Sequence, residues 1–311
     1  VDVAIEDQDS PAALSNMAML RAPLGDFFDN TLVMTDLRGV ETHGVSNMLR
    51  SYVQQYNEGT LNARPNWRII RESPATATID ADKGLAVILG PKAMRLAIEK
   101  ARVVGMGVVS MHNAGHSGGI GHHAMLAAKE DMVGMCMTAG GTMVVPTFGA
   151  EGRLGTNPIA IAAPARNEPP LLYDAATSAI AGNKQRLALR VGADLLPGWI
   201  ADTDGTPIME ETPVRERGQY FHLPLGGTRE QGSHKGYGFA LMPEVLATLL
   251  SGMAPTMVDP STGSSKHYFS AYNIAAFTDV DQFKDNMDKM LRTLRDTKPA
   301  AGHDRELYPG L

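Results

Sequence analysis

The chain has 311 residues, 43% of them hydrophobic and 20% charged, with a formal net charge of −6 and a single cysteine. That length allows two domains or one large one with a full core. Scattered Lys and Arg under a mild negative charge exclude nucleic acid or an anionic membrane as the main partner, and one thiol excludes a disulfide framework.

No fixed-period repeat and no low-complexity linker interrupts the chain. Residues 12–35 read as helix, broken near Pro23 and Gly25. Ser46 reads as the cap of a second helix, "NMLRSYVQQYNEG", which Gly59 ends. After Pro65 the character changes. "WRIIRE", "TATID" and "LAVIL" read as strands, with Pro91 then opening the helix "KAMRLAIEKARVVG". "GVVSMH" reads as a strand leading into "NAGHSGGIGHHA", and a helix follows from about Ile120 to Glu130. "VGMCMT", with Cys136 inside an apolar run, "IAIAAPA" and "PLLYDA" read as strands. A helix is expected from about Thr177 to Val191, helical character over 236–251, a strand at "YNIAAFTDV", and a closing helix over 281–297. The uncharged stretch from Met132 to Gly149 is too interrupted by glycines and Pro146 for a membrane span. With no basic-then-apolar leader and one buried-looking thiol, the expected compartment is the cytoplasm.

Helices at both ends around a strand-rich middle predict an α+β protein. Residues 1–66 form the helical N-terminal part, 67–235 a central sheet region that binds the cofactor, and 236–311 a part that returns to the helical domain. The central sheet is expected to be mixed or antiparallel rather than doubly wound.

The histidine loop raises the chemical question. His112 and His116 are four apart, the helical spacing of two metal ligands, but Gly115, Gly118 and Gly119 oppose a helix there and no carboxylate or thiolate lies in the loop. A metal-dependent hydrolase or lyase using His112, His116 and His122 is therefore the remoter alternative. His122 and His123 fall on adjacent helix positions, so one of them is expected to face solvent. Neither a dinucleotide G-x-G-x-x-G nor a P-loop lysine occurs here. His116, in a flexible strand-to-helix loop, is well placed as an acid/base. In "DLRGVETHGVSNMLRSY", His43 lies between Arg38 and Arg50, a workable arrangement for an anionic substrate, equally readable as a turn with solvated arginines. Thr156 and Asn157 precede a strand. Asp174, Thr177 and Ser178 lie where a strand gives way to a helix, a natural phosphate-binding surface, with Lys184 and Lys235 able to add charge.

Taken in order, "DLRGVETHGV", "NAGHSGGIGHHAMLAA", "GTNPIAIAAPA", "YDAATSAIAGNK", "LPGWIADTDGTP", "LPLGG" and "HKGYGFALM" resemble the malate/L-lactate dehydrogenase family that lacks a Rossmann fold, the family of ureidoglycolate and sulfolactate dehydrogenases and diketogulonate reductase. The resemblance implies NAD- or NADP-dependent interconversion of 2-hydroxy and 2-keto acids by a homodimer. A cyclic-imine carboxylate reductase on the same scaffold is the alternative. It implies His116 as the acid/base and His43 as its partner in a Thr-His-Gly version of a Ser-His-Gly motif. The implied cofactor contacts are Gly140, Thr156, Asn157, Asp174, Ala175, Ala176, Thr177, Lys184, Lys235 and Gly236. The family's usual arginine four residues after that histidine is Asn47 here, which leaves Arg50 as the expected carboxylate anchor beside Asn47. No resident metal is expected.

Overall fold

The computed structural model describes residues 31–305 and 309. The helical reading of residues 12–35 therefore lies mostly outside the described residues. In chain order the elements are α1 (Val33–Leu37), a 3₁₀ turn (Glu41–His43), α2 (Val45–Asn57), β1 (Arg68–Glu72), β2 (Thr76–Asp80), α3 (Ala86–Val104), β3 (Met106–Ala114), α4 (Gly121–Ala128), β4 (Met132–Ala139), β5 (Ile159–Ala163), β6 (Leu171–Ala175), α5 (Gly182–Val191), β7 (Ile200–Ala201), β8 (Phe221–His222), α6 (Ser233–Pro243), β9 (Ser265–Asn273) and α7 (Val280–Arg295). The α+β class with a mixed sheet holds. Seven strands pair in the order β1-β2-β3-β9-β4-β5-β6, and only β2 and β3 run parallel.

One face of the sheet carries α3 and α4, whose Ala, Met and Ile side chains pack on Ala77, Ile79, Val109, Met111, Cys136, Ala160 and Phe269. Cys136 is buried as its apolar run implied. The other face carries the π-helical turn 244–248 that continues α6, with Ala247 against Met137, Ala139 and Tyr268. Strand β9 lies in the middle of the sheet between β3 and β4. The C-terminal part thus supplies the central strand, and a boundary at residue 235 does not separate the sheet from the C-terminal segment. The strand expected at "YNIAAFTDV" is the tail of β9, and Ile274–Ala276 is a 3₁₀ turn.

Three local expectations change for identifiable reasons. "LAVIL" is the first turn of α3, not a strand, which puts Pro91 inside the helix, where it offers no N–H to the Val87 carbonyl. Leu85 and Val87 pack toward α2 while Ala86 and Leu89 pack toward the sheet, so burial on two sides erases the helical period. Helix α2 is preceded by Gly44, and the first N–H, that of Val45, is taken by the Asp36 carboxylate at 2.9 Å rather than by Ser46. A Cβ on Gly44 would fall 1.6 Å from the same Asp36 carboxylate, so a larger residue there would displace this cap. The helix expected from Thr177 begins at Gly182, because Thr177 and Ala179 instead bond the backbone of Thr156 and Leu223.

Candidate active site

The antiparallel register brings the candidate segments to one end of the sheet. Ala114 at the end of β3 pairs with Ser265, Ala139 at the end of β4 with Lys266, and Ile159 at the start of β5 with Ala175 at the end of β6. The histidine loop, Gly140, the Thr156–Asn157 turn and Asp174–Thr177 therefore share that edge, although up to 61 residues of sequence separate them.

His116 stands in the loop between β3 and α4. Its Nδ1 receives the Gly118 N–H at 3.1 Å and lies 2.6 Å from the Tyr52 hydroxyl. The His43 ring stacks on it at 5.4 Å between centroids, 16° from parallel, and the Thr42 hydroxyl lies 2.9 Å from His43 Nδ1. The two histidines that the resemblance singled out are thus in contact. Burial, with His43 and His267 adding to it, holds His116 down at about 3, and burial holds His43 at about 4. Both rings are neutral at pH 7. Burial pushes the Tyr52 phenol well up, so it too is uncharged.

The loop backbone is held at three successive carbonyls. His267 Nε2 donates to Gly115 O at 3.0 Å, Val87 N–H to His116 O at 3.2 Å, and His123 Nε2 to Ser117 O at 3.1 Å. Since His267 donates through Nε2, its Nδ1 accepts from the Thr138 hydroxyl at 2.9 Å, and Thr138 in turn receives the Ser117 hydroxyl at 3.1 Å. Two wholly buried histidines therefore fix the peptide units on either side of His116. The expectation that His122 or His123 faces solvent is overturned. Helix α4 is covered on both sides, and the two residues are 8% and 0% exposed. Neither Tyr52 nor His267 was singled out by the sequence. Tyr52 lies nine residues beyond His43 on an ordinary amphipathic helix, and His267 sits in a strand 151 residues beyond His116. Only their spatial approach marks them.

The remaining candidates divide. Asp174 accepts the Gly121 N–H at 2.6 Å and so caps α4 immediately after the histidine loop. Lys184 and Lys235 are exposed cations at the starts of α5 and α6. Thr156 is half-buried. A Cβ on Gly155 would fall 1.8 Å from Gly140 O, so the backbones behind this edge touch, as a glycine-lined cradle for a flat or phosphorylated group requires. Asn157 is a correction. Its amide accepts from Gly140 N–H and donates to Ala240 O and Glu244, so it is used up as an internal bridge. The Thr177 hydroxyl is likewise spent on the carbonyls of Thr156 and Asn157, and Gly236 is buried against the Leu225 backbone.

Arg50 is also a correction. It lies roughly 200° round α2 from Met48, which with Tyr52 forms the buried face, and it is exposed. The cation beside Asn47 is Arg190 of α5, whose guanidinium reaches Asn47 Oδ1 at 3.5 Å, the Ser46 hydroxyl at 3.4 Å and Glu41 at 3.6 Å. His112, required by a metal reading, turns its Nδ1 to Ser251 O at 3.0 Å. Among the described residues no three His, Cys, Asp or Glu side chains group as a metal set, and no helix is long and apolar enough to cross a membrane.

Residues 26–311 match the family model described as malate/L-lactate dehydrogenase. The chain is 40% identical over 281 residues to a malate dehydrogenase of Pyrococcus abyssi, covering 89% of this chain and 76% of that one. It is 36% identical over 286 residues to an L-sulfolactate dehydrogenase of Methanocaldococcus jannaschii, covering 90% and 80%. A crystal structure of malate dehydrogenase from Entamoeba histolytica superposes with a TM-score of 0.86 at 32% identity, over 95% of this chain and 86% of that chain.

Proposed function

The chain belongs to the malate/L-lactate dehydrogenase family, and from that premise we propose that it transfers a hydride between NAD or NADP and a small 2-hydroxy acid or its 2-keto acid. The observation that carries this reading is the stacked His43–His116 pair at the end of the sheet where the Gly140 and Gly155 backbones touch. When bound, the nicotinamide supplies or takes the hydride. Gly140, Thr156, Asp174, Ala175, Ala176, Lys184 and Lys235 are the residues that would hold it. The backbone cradle suits its flat and phosphate-bearing parts, and the lysines suit its negative charge.

His116 handles the proton at the substrate oxygen. His43, stacked on it, holds that ring in place and shields it from water. Asn47 with Arg190, whose guanidinium reaches Asn47 Oδ1 at 3.5 Å, offers the carboxylate anchor; both Arg190 and Arg50 are exposed, but only Arg190 is held against Asn47. An imine carboxylate would meet the same anchor and the same proton donor, which keeps the imine reductase as the second reading on this scaffold. A homodimer in the cytoplasm belongs to the same proposal. Phe239, Met242, Val245, Leu249 and Leu250 are exposed along α6 and the turns after it, an apolar run that a second copy would cover.

The test is a screen of 2-keto acids and cyclic imines with both reduced cofactors, read by nicotinamide absorbance, alongside His116→Ala. Turnover of 2-keto acids should fall by about 10²-fold or more in the variant while cofactor affinity is kept. A variant that retains more than about a tenth of wild-type turnover would remove His116 from the proton-transfer role. Light scattering on the eluting peak tests the dimer, and a monomer at micromolar concentration would refute it.

A further inference from the structure

The hydrogen bonds at His116 decide which of its nitrogens carries the proton. A backbone N–H can only donate, and the Gly118 N–H points at Nδ1 from 3.1 Å. Nδ1 therefore presents its lone pair, and the ring proton of the neutral imidazole sits on Nε2. The Tyr52 hydroxyl, 2.6 Å from the same Nδ1, then also donates to it. The phenol is buried at 1% exposure and its ring lies 5.9 Å from the imidazole, tilted by 38°. Among the described residues, the titratable side chains facing the imidazole are His43 from the 3₁₀ turn, Tyr52 with Tyr56 beyond it on α2, and His267 from β9. All of these are uncharged at neutral pH.

A neutral imidazole can give up its Nε2 proton without a cationic stage, provided Nδ1 is supplied with a proton as it does so. We propose that Tyr52 is a positioning residue acting through His116: with the Gly118 N–H it holds the ring in the Nε2–H form, and its phenolic proton moves to Nδ1 as the Nε2 proton moves to the substrate oxygen. This rests on the hydride-transfer reading. In the reducing direction the keto carbon gains the hydride with its electron pair and the carbonyl π bond breaks. The new alkoxide takes the Nε2 proton, Nδ1 takes the phenolic proton, and the phenolate is reprotonated from water. The step balances: the alkoxide gains one proton, the imidazole exchanges its Nε2 proton for one on Nδ1, and the phenol loses the proton that water later restores. Neutral histidine serves as the donor to a carbonyl oxygen elsewhere in enzymology for the same reason, a local structure that disfavours the cation.

The experiment uses the whole protein labelled with ¹⁵N-histidine, with His116→Asn to assign the resonance. The expected result without substrate is an unprotonated Nδ1 and a protonated Nε2 on His116, with no titration between pH 5 and 8. In Tyr52→Phe the neutral form loses a donor, so the His116 protonation midpoint should rise. In the same variant kcat for reduction should fall at least about tenfold with KM within about twofold. For the wild type, kcat for reduction should stay level through pH 6–7, and the rate in H₂O/D₂O mixtures should curve as two moving protons require. The proton-transfer proposal is overturned by a proton on Nδ1, by a His116 that titrates near its ordinary value, by a linear dependence on deuterium fraction, or by a Tyr52→Phe enzyme with unchanged kcat and pH profile. If the wild type reduces no 2-keto acid or imine with either cofactor, the dehydrogenase reading fails instead, and the ¹⁵N spectrum still decides whether Tyr52 sets the tautomer.

Discussion

Replacing His267 with leucine tests how the histidine loop is held. His267 is wholly buried, and its two nitrogens serve Gly115 O at 3.0 Å and the Thr138 hydroxyl at 2.9 Å. Leucine is close in size, so little cavity forms and the lost hydrogen bonds dominate. Each of the two groups left alone inside the protein costs about 1–3 kcal/mol, and the added apolar side chain returns about 1 kcal/mol, for a net loss of about 1–5 kcal/mol. At roughly 2–4 °C per kcal/mol for a chain of this size, Tm should fall by about 2–20 °C. The Gly115 carbonyl is the one immediately before His116, so the ring should also shift. A displacement of about 1 Å at a reacting group costs about 10²-fold in kcat. His267→Gln, which keeps one amide donor, should fall between leucine and wild type in both measurements. Thermal melts followed by circular dichroism and steady-state kinetics on a 2-keto acid read the two effects. A leucine variant that melts within about 2 °C of wild type and turns over normally would refute the claim that His267 holds the loop.

Gly107→Ala should be severely destabilising, because a Cβ there would lie 1.9 Å from the Ala97 carbonyl where α3 crosses β3; a melt unchanged from wild type would refute the close approach. Acid should weaken the fold through histidines buried neutral. His123, His222 and His267 are pushed by burial to about 4, about 4 and about 3. The unfolded chain binds protons below about pH 6.5 that the native chain refuses, so their stabilisation is present above that pH and is lost as pH falls toward 4, by roughly 1.4 kcal/mol per unit for each histidine. The urea midpoint should therefore be lower at pH 5 than at pH 7. Arg190→Met should raise KM for acid substrates at least about tenfold, whereas Arg50→Met should leave it within about twofold; the reverse order would return the anchoring role to Arg50.

Much of this protein is legible in its sequence. "TATID" and "VGMCMT" become strands because β-branched and sulfur-bearing residues are bounded by turn signals, and "NAGHSGG" becomes a loop because three glycines undo any helix through His116. His116 stands out as a histidine in a glycine-rich strand-to-helix loop, and the family resemblance adds His43, whose ring the structure stacks on it. The features it could not yield arise from burial on more than one side. "LAVIL" carries no period because α2 and the sheet both cover it, so helix and strand look alike there. The central place of β9 depends on which strands pair, a long-range choice that no local pattern encodes. The same pairing brings His267 to the Gly115 carbonyl, and the packing of α2 on α3 brings Tyr52 to His116 Nδ1. Residue type marks a side chain as able to carry a proton; only the tertiary contacts decide which nitrogen holds it, because that is set by donors from distant parts of the chain.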